Sequence, residues 1–291
     1  MTISHLFKSH DKDIGGGFKV RRVLPAAAKQ AVGPFIFFDH FGPVDEPADA
    51  DHDVRPHPHI GLATVTYLYE GAMEHRDSVG SFQRIEPGAI NWMTAGSGIV
   101  HSERTPADLA GRPRRSHGLQ LWAALPKEYE EVAPSFAHTP ASAIQSVTFN
   151  GGHARVLIGA AFGLTSPVAT FSETLYLDIR LDAGCELVLA DLPEEAAIYA
   201  VSGAIEIDGQ PLAANTMAYL ETGTGARVST TGGAQFVVIG GEPLDAHRFI
   251  FWNFVSSSKE RLARAAQDWE QQRFDKVPGE TEFIPLPKPR M

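Results

Sequence analysis

The 291-residue chain has one cysteine, Cys185. That excludes an intrachain disulfide and any zinc or iron–sulfur site built on several thiolates. No stretch approaches the ~18–20 consecutive apolar residues of a membrane span, so neither a membrane segment nor a membrane partner is expected. The first ten residues lack the apolar core of a secretory signal. Positive charge is also scarce: 25 Lys and Arg against 35 Asp and Glu leave a formal charge of −10. Direct nucleic-acid binding is not expected, because neutralising phosphates takes a Lys/Arg surplus. No nuclear-localisation-like Lys/Arg run is present. These absences predict a soluble, cytoplasmic protein.

What the chain does have is short strands and turns. Ala63-Thr64-Val65-Thr66-Tyr67-Leu68-Tyr69 is β-branched and aromatic and stops at Gly71, and Phe236-Val237-Val238-Ile239 before Gly240-Gly241 reads the same way. Two segments repeat. Tyr67 to Glu74 matches Tyr199 to Glu206 at an offset of 132, and Trp92 to Gly98 matches Tyr219 to Gly225 at an offset of 127. Two β domains of one kind are expected, residues 1–133 and 134–291, joined by the polar, proline-bounded stretch that starts at Pro126. One helix is expected within the second, over 257–273. There Ser257 and Glu260 have capping-box spacing, and Leu262, Ala265, Ala266 and Trp269 share a face.

The chemistry gathers in Arg55-Pro56-His57-Pro58-His59 and in Gly98-Ile99-Val100-His101-Ser102-Glu103. In an extended chain, residues two apart point to one face, so His57 pairs with His59 and His101 with Glu103. Two such pairs on neighbouring strands supply three imidazoles and a carboxylate, a set suited to one divalent transition metal. Extending the repeat places His57 and His59 opposite Leu189 and Asp191, and His101 and Glu103 opposite Val228 and Thr230. The second domain is therefore expected to carry no metal.

Other candidates are weaker. Gly15-Gly16-Gly17 lacks the Gly-Lys-Ser/Thr of a phosphate loop and reads as a turn. Ser102 is expected to point away from the ligands. Cys185 reads as a small apolar residue, since no base adjoins it. Asp39-His40 suits a pair supporting the site, although Phe35-Ile36-Phe37-Phe38 before it looks like core. His75, His117, His138 and His247 read as solvated or ordinary hydrogen-bonding groups.

At these residues the sequence resembles a pirin, a bicupin of the cupin superfamily, along nearly its whole length. Gly17-Phe18-Lys19-Val20-Arg21-Arg22-Val23-Leu24-Pro25 and Phe37-Phe38-Asp39-His40-Phe41-Gly42-Pro43 are similar to the family's opening segments. Arg55 to Gly61 and Asn91 to Glu103 resemble its metal-binding core, and Gly240-Gly241-Glu242-Pro243-Leu244 the start of its final segment. The resemblance implies an all-β fold: two cupin (double-stranded β-helix, jelly-roll) barrels packed face to face, with a C-terminal helix. It implies Fe(II) held by His57, His59, His101 and Glu103, although such a site also accepts other divalent metals. General cupins carry their carboxylate soon after the His-x-His pair; here Ala63 and Thr64 stand there. The segment 245–254 is unusually aromatic for the family's tail.

Two functions fit that resemblance. The first is a flavonol (quercetin) 2,3-dioxygenase that opens the ring with dioxygen and releases carbon monoxide. Glu103 would be both ligand and proton acceptor from the 3-hydroxyl, and Trp92, Phe37 and Phe38 suit either substrate walls or core. The second is a non-enzymatic redox or metal sensor that binds a protein partner, a transcription factor or a metabolic enzyme.

Overall fold

The computed structural model describes residues 2–14 and 17–287. The turn expected at Gly15-Gly16-Gly17 falls mainly outside the described residues. The chain forms two compact units, neither contiguous in sequence. One combines the N-terminal residues up to Lys12 with Arg21–Asp39 and Ser142–Leu244; the other combines Asp13–Val20, His40–Ala141 and the tail from Asp245. The compact bodies therefore do not follow the expected contiguous halves 1–133 and 134–291. Hydrogen bonding and packing explain the difference. Ile3–Lys8 completes a sheet edge beside Thr216–Leu220, while the tail packs against Ile60 and Val100.

In the unit containing the N-terminal strand, Ile3–Lys8, Thr216–Leu220, Glu195–Ser202, Ala234–Gly241, Thr174–Leu181 and Gly152–Ile158 lie side by side in one sheet. Glu186–Leu189, Ala226–Ser229, Ile205–Ile207 and Gln210–Leu212 form a second. Leu177, Ile179, Ile198, Ile207, Val228, Phe236 and Val238 fill its core and are essentially inaccessible. In the other unit, Ser135–Thr139, Ile90–Thr94, Leu62–Glu70 and Arg114–Ala124 are sheet neighbours. The same unit has a four-stranded sheet ordered Val54–His59, Ile99–Arg104, Met73–Asp77 and Phe82–Ile85. Paired antiparallel sheets of this kind are the cupin barrel architecture.

Cross-strand register confirms the repeat. Val65 faces Trp92 and Tyr67 faces Ile90 in one unit; Ala197 faces Tyr219 and Tyr199 faces Met217 in the other. Offsets of 132 and 127 convert each pair into its counterpart.

The stretch after Pro126 is no loose linker. Lys127–Tyr129 is a 3₁₀ turn, and Ser135–Thr139 is a strand against Ile90–Thr94. Glu130 is buried; it accepts Ser256 Oγ at 3.0 Å and Ser257 N at 2.9 Å and pairs with Arg248 Nε at 2.9 Å.

Among the described residues, the α-helix is Lys259–Glu270, shorter than the expected 257–273. Its cap is Ser258, one residue after the expected Ser257, and Ser258 Oγ accepts Arg261 N at 3.2 Å. Leu262, Ala265 and Trp269 form its buried face, clustered with Ile60, Val100, Phe254 and Val277. Burying each large apolar side chain stabilises by about 1.5–3 kcal/mol. Because Ile60 follows His59 and Val100 precedes His101, alternation turns this cluster to the opposite face from the histidines. No helix among the described residues is long and apolar enough to cross a membrane.

Candidate metal centre

His57 lies on Val54–His59 with His59, and His101 on Ile99–Arg104 with Glu103. The two strands pair antiparallel, with His57 directly opposite His101 and His59 opposite Ile99. Residues opposite one another share a face, so period-two alternation and this register aim three imidazoles at one point. Their ligand atoms all lie within 4.8 Å of one another. Ring centroids are 4.3 Å apart for His57 and His101, 5.0 Å for His59 and His101, and 5.1 Å for His57 and His59.

Two glycines close the chain tightly beside these strands. Gly61 and Gly96 have φ of +68° and +52°, and Gly61 N donates to Gly96 O at 2.9 Å. A Cβ on Gly61 would sit 2.0 Å from Val255 O, and one on Gly96 2.0 Å from Val132 O. Only glycine fits both the space and the left-handed backbone.

The hydrogen bonds select the tautomers. His57 Nδ1 donates to Arg55 O at 2.9 Å, and His59 Nδ1 to Asn253 O at 3.2 Å. A carbonyl can only accept, so each Nδ1 carries its proton and each Nε2 keeps a lone pair. His101 is buried with neither ring nitrogen hydrogen-bonded. Such a group is costly to bury unless another partner takes its lone pair. Burial pushes His57 down to about 4. Burial, then the neighbouring imidazoles, push His59 and His101 well below 6.5. All three are neutral at pH 7, as a metal ligand must be. The donor set, its neutrality and the unmet nitrogens of His101 fit a divalent transition metal.

Glu103 stands outside this compact group. The register shifts between His101 and Glu103, a bulge of the kind that re-aims a side chain. Glu103 is half-buried and faces Val54 on one side and His75 on the other. Desolvation raises its carboxyl to about 7.

The neighbouring histidines take the solvated or hydrogen-bonding alternatives expected of them, His75 the second. His75 is not solvated: it is buried, its ring is stacked on Phe136 at 4.3 Å and 5.2 Å from the His101 ring, and its Nε2 bonds Asp77 Oδ2 at 2.9 Å. The two-residue spacing of His75 and Asp77, like that of the ligands, was the available signal. The aromatic neighbour of the cluster is Trp122, edge-on to His59 at 5.2 Å. Phe37 and Phe38 belong to the other unit, where Phe38 packs on Tyr199 and Arg22 covers Phe37. Trp92 is core, its Nε1 donating to Thr94 Oγ1 at 3.1 Å. Asp39 does not reach the cluster: Arg22 holds it at 2.7 and 2.8 Å, within that other unit. His40 bonds His117 at 2.8 Å, His138 bonds Asn91 at 2.7 Å, and His247 is exposed. Ser102 points away from the histidines, as alternation requires, and donates to Glu280. Cys185 is half-buried against Gly151, whose missing Cβ would lie 2.4 Å from Sγ.

The second barrel shows what replaced the ligands. Val228, at the place of His101, faces Leu187, and Ala226, at the place of Ile99, faces Leu189. His57 and His59 thus correspond to Leu187 and Leu189, not to Leu189 and Asp191. Ile207 faces Val228 as Asp77 faces His101. Leu189, Ile207 and Val228 are buried in that unit's core and Leu187 packs against it.

Family models match twice, pirin over residues 17–123 and the pirin C-terminal cupin domain over 176–275. A pirin-like protein of Caulobacter vibrioides is 46% identical, covering 98% of this chain and 100% of its own. Human pirin is 32% identical over 92% of this chain and 91% of its own. A crystal structure of quercetin 2,3-dioxygenase from Acinetobacter baumannii superposes with a TM-score of 0.90 at 34% identity, covering 99% of this chain and 96% of that one.

Proposed function

The chain belongs to the pirin family, and from that premise we propose that it is a metal-dependent dioxygenase acting on quercetin-like flavonols. One flavonol and one dioxygen would give a ring-opened ester and one carbon monoxide. The observation that carries the reading is His101, a buried imidazole with both nitrogens unmet between two others whose Nδ1 protons are already committed. The likeness to the Acinetobacter baumannii enzyme supports the substrate class.

His57, His59 and His101, with Glu103 as fourth ligand, would hold a divalent metal, ferrous iron in the family reading, which supplies Lewis acidity and redox chemistry toward dioxygen. The protein's own contribution is orientation and proton handling. The carbonyls of Arg55 and Asn253 hold two imidazoles neutral with Nε2 forward. Glu103, two residues beyond His101 and past the bulge, accepts the proton of the flavonol 3-hydroxyl, which a carboxylate within reach can do. Ile99, fully buried opposite His59, keeps water from that side, and Trp122 offers a flat apolar wall.

The test is dioxygen uptake by the Fe(II)-loaded protein with quercetin, beside Glu103→Ala treated identically. Saturable uptake that vanishes in the variant is expected. No uptake above the free-metal background, with iron confirmed bound, overturns the enzymatic reading in favour of a metal-sensing protein that binds a partner.

A further inference from the structure

The bulge that re-aims Glu103 leaves it paired regularly on one side only. Between His101 and Glu103 the ladder to Val54–His59 loses its register, while the ladder to Met73–Asp77 stays regular with Glu103 opposite His75. A side chain placed there needs support from elsewhere to keep one orientation.

That support comes from the tail. Ser102 and Arg104, the residues on either side of Glu103, turn to the opposite face of the strand. Ser102 is fully buried, and its Oγ donates to Glu280 Oε1 at 2.5 Å. The Arg104 guanidinium bonds the other oxygen, Glu280 Oε2. One carboxylate therefore grips both neighbours of Glu103, with Arg104 Nε also reaching Oε1 at 3.4 Å. Arg104 is further held by Glu282 at 2.6 Å and Asp53 at 3.7 Å. The Glu280 segment is itself anchored. Ile284 N donates to Pro56 O at 2.8 Å, beside His57, and Trp269 Nε1 donates to Ile284 O at 3.0 Å. The Glu280 and Arg104 side chains are 5% and 14% exposed, so water screens this pair far less than a surface ion pair.

We propose that Glu280 is a positioning residue for Glu103, acting through Ser102 and Arg104 to fix the carboxylate relative to the three imidazoles. The inference rests on the reading of Glu103 as a metal ligand. It makes the tail segment from Val277 to Leu286 a working part of the metal centre, not only a cover for its strands.

The test reads the metal rather than turnover. Cobalt(II) is loaded into the wild type, Glu280→Gln, Ser102→Ala, Glu103→Gln and Glu195→Gln. The last breaks a carboxylate in the other unit that holds Lys29 Nζ at 2.5 Å and Gly33 N at 2.8 Å. Glu280→Gln and Ser102→Ala are each expected to weaken cobalt binding by about tenfold, as loss of ligand-supporting groups does. They should also shift the visible ligand-field bands in the direction given by Glu103→Gln. Glu195→Gln should lower Tm and leave the bands in place. Ser102→Ala removes only a hydroxyl, so it carries the test if Glu280→Gln does not fold.

Bands moved by Glu103→Gln but not by Glu280→Gln or Ser102→Ala overturn the inference alone. Bands unmoved by Glu103→Gln overturn its ligand role and this inference with it. Band shifts as expected in a protein without quercetin-dependent oxygen uptake support the inference and reject the dioxygenase reading.

Discussion

The Nδ1 proton of His59 is held by the backbone carbonyl of Asn253, 194 residues further along the chain, at 3.2 Å. A tail hairpin, Phe249–Phe251 with Phe254–Ser256, thereby sets the tautomer of a histidine on a strand near the start. The candidate metal site is thus distributed over the chain, and its energetics can be probed at distant positions.

Metal loading is expected to raise Tm, because a ligand that binds only the native state stabilises it. At a free concentration of one hundred times Kd the gain is about 2.7 kcal/mol. Chelation should abolish the gain, and His101→Ala should melt at one temperature with or without metal. Scanning calorimetry with and without chelator checks this. A metal-dependent rise retained by His101→Ala would place the ion elsewhere.

Val228→His is expected to destabilise by about 2–3 kcal/mol. It puts an imidazole without hydrogen-bond partners among Leu189, Ile207 and other apolar side chains. Denaturant titration measures the cost. Added metal should not recover it, since Leu187 and Leu189 stand where the other ligands would be.

Gly61→Ala is expected to cost more than about 1 kcal/mol, because the left-handed backbone penalises any side chain and the new Cβ meets Val255 O. The same substitution at Gly80, which also has positive φ but has nothing within 4 Å of its Cβ position, should cost less. Their midpoints in urea separate strain from clash. Equal losses at the two positions would discount the contact with Val255.

Burial works to raise the Glu280 carboxyl, but hydrogen bonds from Arg104 and Ser102 and the charges of Arg104 and Arg76 hold it below its ordinary 4.5. A depressed folded pKa contributes stability that is present above the unfolded value and lost as pH falls through the folded one. The wild type's Tm advantage over Glu280→Gln should therefore be constant from pH 7 to about 5 and shrink below 4.5. Melting both proteins across that range tests the sign. An advantage that grew on acidification would contradict the pairing.

The histidine cluster was legible because alternation along a strand is set locally. His57, His59 and His101, and the outward Ser102, follow from counting in twos. The register matches at Val65–Trp92 and Ala197–Tyr219 show that the repeat was legible too. Elsewhere the information is not local. Counting the repeat placed Leu189 and Asp191 opposite the first ligands, but the offset changes at every turn, and only pairing across strands identifies Leu187 and Leu189. Phe37 and Phe38 are close in sequence to the ligand strands, yet the strand Phe35–Glu46 crosses from one unit to the other after Asp39. Trp122, Asn253 and Glu280 reach their positions through pairing and tail packing, which no spacing rule encodes.

The order in which the chain is synthesised gives the non-contiguous unit a temporal meaning. By the time residue 141 has been added, all three imidazoles and Glu103 have been made. The Asn253 carbonyl, the helix over Ile60 and Val100, and the carboxylate of Glu280 have not. A nascent chain thus carries the donor atoms long before the parts that orient them and that cover the far side of their strands. The candidate metal centre gains its orienting groups only after Asn253 and Glu280 have been added, and a metal ion acquired earlier would meet the donor atoms without them.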